Sequence, residues 1–263
     1  MMENKYYRKL ERRELEDIAE RILFEDNHFL LFNKRSGEIV QGDKTADEPL
    51  SETLKAFIAQ RDGKQGQVFM GVAHRLDRPV SGVVVFAKTS KGLERFNALL
   101  RDGEVHKTYW ALVHTPEKGV VDSVANPDGW VELSGYLYRD EKKNKSFLYK
   151  GEGEPPQGYK QARLLYRIIK VLDNYTLLEV RLLTGRHHQI RAQLSNMGCP
   201  IKGDLKYGAR RSNADGSICL HAKMVEFENP IGRKNAKGEL TGTNSVIKVE
   251  APLLGELHRL LEH

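Results

Sequence analysis

Apolar residues in this chain fall into short blocks whose spacing changes from one block to the next. Ile22-Leu23-Phe24-Glu25 and Phe29-Leu30-Leu31-Phe32 flank Asp26-Asn27-His28, which predicts a hairpin with turn-forming residues at its tip. Ahead of it, Leu10, Leu15 and Ile18 stand among charged neighbours and predict a weakly amphipathic helix from about Lys9 to Ala19. Leu50 to Arg61 reads as a second helix, stopped by Asp62-Gly63-Lys64-Gln65-Gly66. The continuous run Val83-Val84-Val85-Phe86-Ala87 predicts a strand buried on both faces. Beyond it, Leu93, Phe96, Leu99 and Leu100 recur at helical spacing between an N-cap at Ser90 and a stop at Gly103.

From Val105 to Val113 β-branched and aromatic residues return, and hairpins are predicted around Glu141-Lys142-Lys143-Asn144 and Leu172-Asp173-Asn174-Tyr175. Gln161 to Leu183 alternates as two paired strands would. A helix is expected directly after Gly185, with Ile190, Leu194 and Met197 on one face and Gly198 and Pro200 closing it. Strands and helices interleave without a regular βαβ repeat, so the expected class is α+β with a mostly antiparallel sheet. No internal repeat or low-complexity linker divides the chain.

The 263 residues are 40% hydrophobic and 30% charged, the balance of a soluble globular protein. No apolar stretch approaches the roughly 20 residues that span a bilayer, and Met1-Met2-Glu3-Asn4-Lys5 lacks the apolar core of a signal peptide. A cytoplasmic protein is expected, without a membrane partner. Cys199 and Cys219 have no CxxC spacing and read as packed thiols. The net charge of +6 is compatible with a polyanionic partner, and basic residues collect at Lys142-Lys143-Asn144-Lys145, at Lys202 to Lys206 with Arg210-Arg211, and at Arg233-Lys234-Asn235-Ala236-Lys237.

The segment richest in chemistry is His74-Arg75-Leu76-Asp77-Arg78-Pro79-Val80-Ser81-Gly82, which sets one carboxylate between arginines just before the apolar strand. Arginines on either side favour the ionised carboxylate, and the strand offers a rigid edge on which to hold it. Taken alone, the segment reads first as a surface turn in which Asp77 pairs with Arg75 or Arg78. Two further segments change that balance: Lys107-Thr108-Tyr109-Trp110-Ala111-Leu112-Val113, and Thr184-Gly185-Arg186-His187-His188-Gln189-Ile190-Arg191 followed by Gly198-Cys199-Pro200-Ile201-Lys202-Gly203-Asp204 and Tyr207-Gly208.

In this order the three segments resemble the RluA-type family of RNA pseudouridine synthases, from about Ile22 to about Pro252. The resemblance implies a long curved, mostly antiparallel mixed sheet with flanking helices and a central catalytic cleft. It implies one catalytic domain over residues 22–263 behind an N-terminal helical extension, residues 1–21, too short for the S4 domain that many relatives carry. The implied activity is isomerisation of uridine in structured ribosomal or transfer RNA, without cofactor or metal, by an enzyme expected to be a monomer.

In that family Asp77 would be the essential aspartate, acting as nucleophile or as base. Arg75 would fill the stack vacated by a flipped uridine, and Tyr109 would pack on the base. Arg191 would pair with Asp77, Arg186 at the helix start would contact phosphate, and Leu220 would lie under the uracil; His74 joins the RNA contacts. Val80 stands where the family commonly has threonine, which removes a hydroxyl but keeps the packing.

Other chemistries fit less well. Gly37 to Thr45 has the look of a phosphate-binding loop, but Asp43 between Gly42 and Lys44 breaks its spacing, so no nucleotide cofactor is expected. His187, His188, Cys199, Cys219 and His221 match no zinc spacing, and no G-x-S-x-G elbow is present. The alternative from another class is a non-catalytic RNA-binding module. It has no use for a carboxylate among phosphate-facing arginines.

Overall fold

The computed structural model describes residues 4–42, 46–115, 129–231, 233–234, 240–241 and 245–261. In chain order its elements are α1 (Arg12–Glu20), β1 (Ile22–Glu25), β2 (Phe29–Lys34), α2 (Leu50–Arg61), β3 (Gly71–Val72), β4 (Ser81–Ala87) and α3 (Ser90–Asp102). There follow β5 (His106–His114), β6 (Val131–Asp140), β7 (Lys145–Leu148), β8 (Lys160–Val171), β9 (Tyr175–Leu182), α4 (Gln189–Asn196) and a 3-10 turn (Leu205–Tyr207). The chain ends with β10 (Leu220–Glu228), the two-residue strands β11 (Arg233–Lys234) and β12 (Leu240–Thr241), β13 (Val246–Glu250) and α5 (Gly255–Leu261). The class is α+β, as the apolar pattern predicts. Among the described residues no helix is long and apolar enough to cross a membrane.

Contacts group the chain into two units, one of residues 1–105 with 222–252 and one of residues 106–221 with 253–263. In the first, the Asp26 carboxylate accepts the N–H groups of His28 and Phe29 at 2.7 Å each and so closes the β1–β2 hairpin. β2 then runs antiparallel to β4, from Phe29 opposite Ala87 to Lys34 opposite Gly82. Every residue of both strands is buried, which is why these stretches read as continuous apolar runs. β3 also pairs with β4, and β13 with β10. Phe29, Phe96 and Phe227 meet in edge-to-face and tilted contacts at 4.9 to 6.0 Å between ring centroids. The N-terminal helix buries Ile18.

The cap of α3 lies one residue earlier than expected. Thr89, in extended conformation, accepts the Gly92 N–H on its hydroxyl at 3.0 Å, and Ser90 is the first helical residue. The Gly103 stop is as expected, with φ of 78°.

The second unit is built on the antiparallel strand order β5-β9-β8-β6-β7. Leu137, Ala162, Ala192 and Tyr207 are buried together, with Leu148 against them, so α4 and the 3-10 turn cover one face of β6, β7 and β8. Both cysteines are buried free thiols, and burial pushes each up to about 11. The helix expected directly after Gly185 begins only at Gln189, because His188 takes a left-handed conformation with φ of 52°. The Gln189 side chain organises the residues in between: its Oε1 accepts the Thr184 hydroxyl at 2.8 Å and the Arg186 N–H at 3.0 Å.

Two glycines with positive φ make opposite demands on space. A Cβ on Gly82, φ 115°, would sit 2.3 Å from the Ala222 carbonyl oxygen of β10, whereas one on Gly103 would meet nothing within 4 Å. Gly103→Ala should therefore cost about 1–2 kcal/mol of stability, the left-handed penalty alone. Gly82→Ala should cost about 3 kcal/mol or more because backbone must also move. Urea unfolding of the two variants checks the order, and equal losses would show that the β4–β10 approach is not tight.

Candidate active site

Asp77 sits on the loop between β3 and β4, and a buried lysine holds that loop in shape. Lys34 ends β2 with its side chain fully buried. Its ammonium donates to four carbonyl oxygens, those of Arg35 at 2.9 Å, Asp77 at 3.3 Å, Arg78 at 3.1 Å and Val80 at 2.6 Å. The Val80 N–H bonds back to the Asp77 carbonyl at 3.0 Å, the Gly37 N–H reaches that of Arg78 at 2.8 Å, and the Ser36 hydroxyl reaches that of Pro79 at 3.2 Å. All four carbonyls from Asp77 to Val80 are thus bonded within the protein. The backbone is thereby fixed; above it Arg75 and Arg78 are exposed and Asp77 is half-buried.

Burial lowers Lys34 to about 8; the carboxylates of Glu38 and Asp77 pull it upward and Arg78 adds to the lowering. Glu38 in turn accepts the Arg35 N–H at 2.7 Å and Arg21 Nη1 at 2.8 Å, and Arg21 also bonds Asp17 at 2.8 Å while lying 4.6 Å over the Phe32 ring. Arg78, one of the two arginines that the surface-turn reading offered to Asp77, is engaged with Asp47 at 2.7 Å. That pair is half-exposed and contributes little to stability. His74, expected among the RNA contacts, is half-buried and tied into the fold. Its Nε2 accepts the Val85 N–H at 3.2 Å, which demands an Nδ1–H tautomer in the neutral ring, and the ring stacks on Phe96 at 6.4 Å. In the phosphate-loop-like segment, Asp43, Lys44 and Thr45 lie outside the described residues, as do Asn235 to Lys237 of the third basic cluster.

The other candidates belong to the second unit. Tyr109 lies in β5 opposite Val180 and is buried. Leu220, also buried, opens β10. Arg186 is exposed and lies three residues before α4, not at its start; its Nε donates to the Gln161 carbonyl at 2.9 Å. Arg191 lies in α4, buried, and Asp204 grips it through Nε at 2.7 Å and Nη2 at 2.8 Å. This bidentate pair was missed in the sequence, where Asp204 is one acid in a loop rich in lysines.

Tyr207 completes the support, with its ring 5.1 Å under the Arg191 guanidinium and its hydroxyl on both His188 Nδ1 at 3.0 Å and the Ser146 N–H at 2.8 Å. Burial, reinforced by Arg191, holds His188 down to about 2, so it is a neutral hydrogen-bonding ring. Its neighbour His187 stacks on it at 3.7 Å and meets the Ser146 hydroxyl at 2.9 Å.

Residues 28–196 match the family described as RNA pseudouridylate synthase. The chain is 30% identical over 221 residues to ribosomal large subunit pseudouridine synthase C of Buchnera aphidicola subsp. Baizongia pistaciae, covering 81% of this chain and 64% of that protein. It is 29% identical over 245 residues to the RNA pseudouridine synthase YlyB of Bacillus subtilis, covering 92% and 72%. Against synthase C of Escherichia coli O6:H1 it is 30% identical over 256 residues, covering 93% and 70%. Among solved structures, human RNA pseudouridylate synthase domain containing 4 has a TM-score of 0.71 at 20% identity, with 94% of each chain covered.

Two predictions follow from the buried ions. Between about pH 8 and 10.5 the unfolded chain holds the Lys34 proton and the folded chain does not, so stability contributed by this group rises with pH. From pH 7.5 to 9.5 the wild type should gain roughly 2 kcal/mol relative to Lys34→Met in urea unfolding; no difference, or the opposite sign, would place the Lys34 proton elsewhere. Arg191→Met strands the Asp204 carboxylate in the interior and should cost about 3–5 kcal/mol, with the doubly substituted Arg191→Met/Asp204→Leu recovering part of it. A double variant no more stable than the single one would contradict the pairing.

Proposed function

Because the chain belongs to the family of RNA pseudouridylate synthases, we propose that it isomerises uridine to pseudouridine in structured RNA of the large ribosomal subunit or transfer RNA, with Asp77 as the reacting group. The observation that carries this reading is the Asp77 loop, a half-buried carboxylate on a backbone whose every carbonyl from Asp77 to Val80 is bonded. A module that only held RNA would gain nothing from a rigidly presented negative charge. The relatives named for the large ribosomal subunit support ribosomal RNA as the first substrate to try. The same reading makes this a cytoplasmic enzyme.

In the reaction the N1–C1′ bond breaks, the uracil turns, and a C5–C1′ bond forms; the C5 proton leaves and N1 gains one, so composition and oxidation state are unchanged. Asp77 would act as a nucleophile on the nucleotide or as the base for a ribose proton, and both roles require its ionised form. Extruding the uridine costs a few kcal/mol. Arg75, exposed two residues before Asp77, carries a flat guanidinium suited to the gap that the base leaves. Tyr109 and Leu220 are assigned to the two apolar contacts of the uracil, and Arg191 to the counter-charge of the reacting carboxylate. Arg186, anchored through Nε, is assigned to phosphate. His74 is assigned to the RNA contacts, with its ring held in place by Val85 and Phe96.

Asp77→Asn tests the assignment with almost no change in size. Tritium release from C5-labelled uridine in ribosomal RNA, at saturating enzyme and single turnover, should slow by about 10³-fold or more, while RNA affinity stays within about twofold. Release by the variant at more than a few per cent of the wild-type rate would remove Asp77 from the chemistry. No release by the wild type on either RNA, with binding intact, would favour the RNA-binding module.

A further inference from the structure

We propose that the solvent face of the β6–β7 hairpin is a stacking surface for single-stranded RNA flanking the target, an inference that rests on the RNA substrate proposed above. The side of β6 turned away from α4 exposes Tyr136 and Tyr138 at 39% and 42%, and β7 adds Phe147 at 36%. The register puts Phe147 directly opposite Tyr138, and the Tyr159 ring follows at 5.5 Å from Tyr138, so the rings form one strip. Large aromatic rings this exposed on a sheet gain less for the fold than buried ones do. They are suited to bases, whose faces stack on any such ring.

Charge decides between possible occupants. Lys143 and Lys145 each stand 5.6 Å from the Phe147 ring. Residues 139–150 hold five basic side chains, Arg139, Lys142, Lys143, Lys145 and Lys150, against Asp140 and Glu141. Of those acids, Asp140 is occupied in shaping the turn, where it accepts the Lys143 N–H at 3.0 Å. At the other end of the strip Tyr136 pairs with Gln161, the residue whose carbonyl carries Arg186. A second copy of the chain would bring the same positive charge to this face; a polyanion with stacking bases complements it. Tyr136 and Tyr138, two residues apart on one strand, are separated by roughly 7 Å, room for each ring to take its own base.

The test uses the full chain and two fluorescent probes, a 12-nucleotide oligouridylate and a 12-base-pair RNA duplex, with affinity read by anisotropy. Y138A/F147A should bind the oligouridylate about 10–100-fold more weakly and the duplex less than about threefold more weakly, because the duplex offers phosphates but no open bases. Y138W/F147W should bind the oligouridylate at least as well as the wild type. Both side chains are exposed, and matching thermal unfolding of all three proteins verifies the fold. Unchanged oligouridylate affinity in the alanine variant would overturn the proposal, as would equal losses on both probes, which mark a phosphate contact only. A wild-type dimer that the alanine variant splits in sedimentation would also overturn it, in favour of self-association. Tritium release by the wild type is scored separately, so oligouridylate binding of this pattern without isomerisation would sink the proposed activity and leave the stacking surface standing.

Discussion

The ammonium of Lys34 is the constraint around which the reactive loop is arranged. A cation with no access to water is tolerable only where hydrogen-bond acceptors replace its hydration. Here the replacement is four main-chain carbonyls, three of them drawn from Asp77, Arg78 and Val80. The requirement runs both ways. The lysine needs that loop conformation, and the loop, with its carbonyls turned inward, needs the lysine. Because Lys34 faces Gly82 across the β2–β4 ladder, a slip of one residue would turn the ammonium to the opposite face and unmake both.

The second unit uses the same physics with a different chemistry. Arg191 is satisfied by a planar carboxylate in two parallel bonds and by an aromatic face beneath it, which fixes orientation as well as position. Lys34, a point charge, gathers a ring of oxygens without favouring a plane. In neither place does the buried ion confer much net stability, since its desolvation offsets most of the attraction. What it confers is a single acceptable geometry. Tyr207 extends that geometry to His188 and Ser146, so that one hydroxyl links the turn before α4 to the start of β7.

Much of this was legible in the sequence wherever a pattern repeats. The buried strands β2 and β4, helix α2 and the hairpin at residues 141–144 all follow from apolar spacing and turn residues. The resemblance carried by three short motifs likewise pointed to the family that residues 28–196 match. The features that escaped depend on contacts between residues far apart in the chain. A lysine closing an apolar run reads as the polar end of a strand, and only the fold places residues 77–80 above it. Asp204 lies thirteen positions from Arg191 with nothing local to link them. The late start of α4 turns on one left-handed residue, His188, which no helix propensity foretells. The contacts of His74 with Val85 and Phe96 are likewise set by the fold and not by its motif.

The first unit is assembled from two stretches of chain separated by the whole of residues 106–221, and this orders events during synthesis. Phe29 and Phe96 leave the ribosome roughly 130 residues before Phe227 joins them, an interval on the order of 10 s. Throughout that interval the phenylalanine cluster lacks its third ring, and Gly82 of β4, paired with β2 on one side, still lacks the β10 backbone at Ala222 that packs against it. The second unit is nearly complete in one continuous stretch and has no such wait. A nascent chain of this protein therefore carries an unfinished apolar surface at its older end until residues 222–252 have been made.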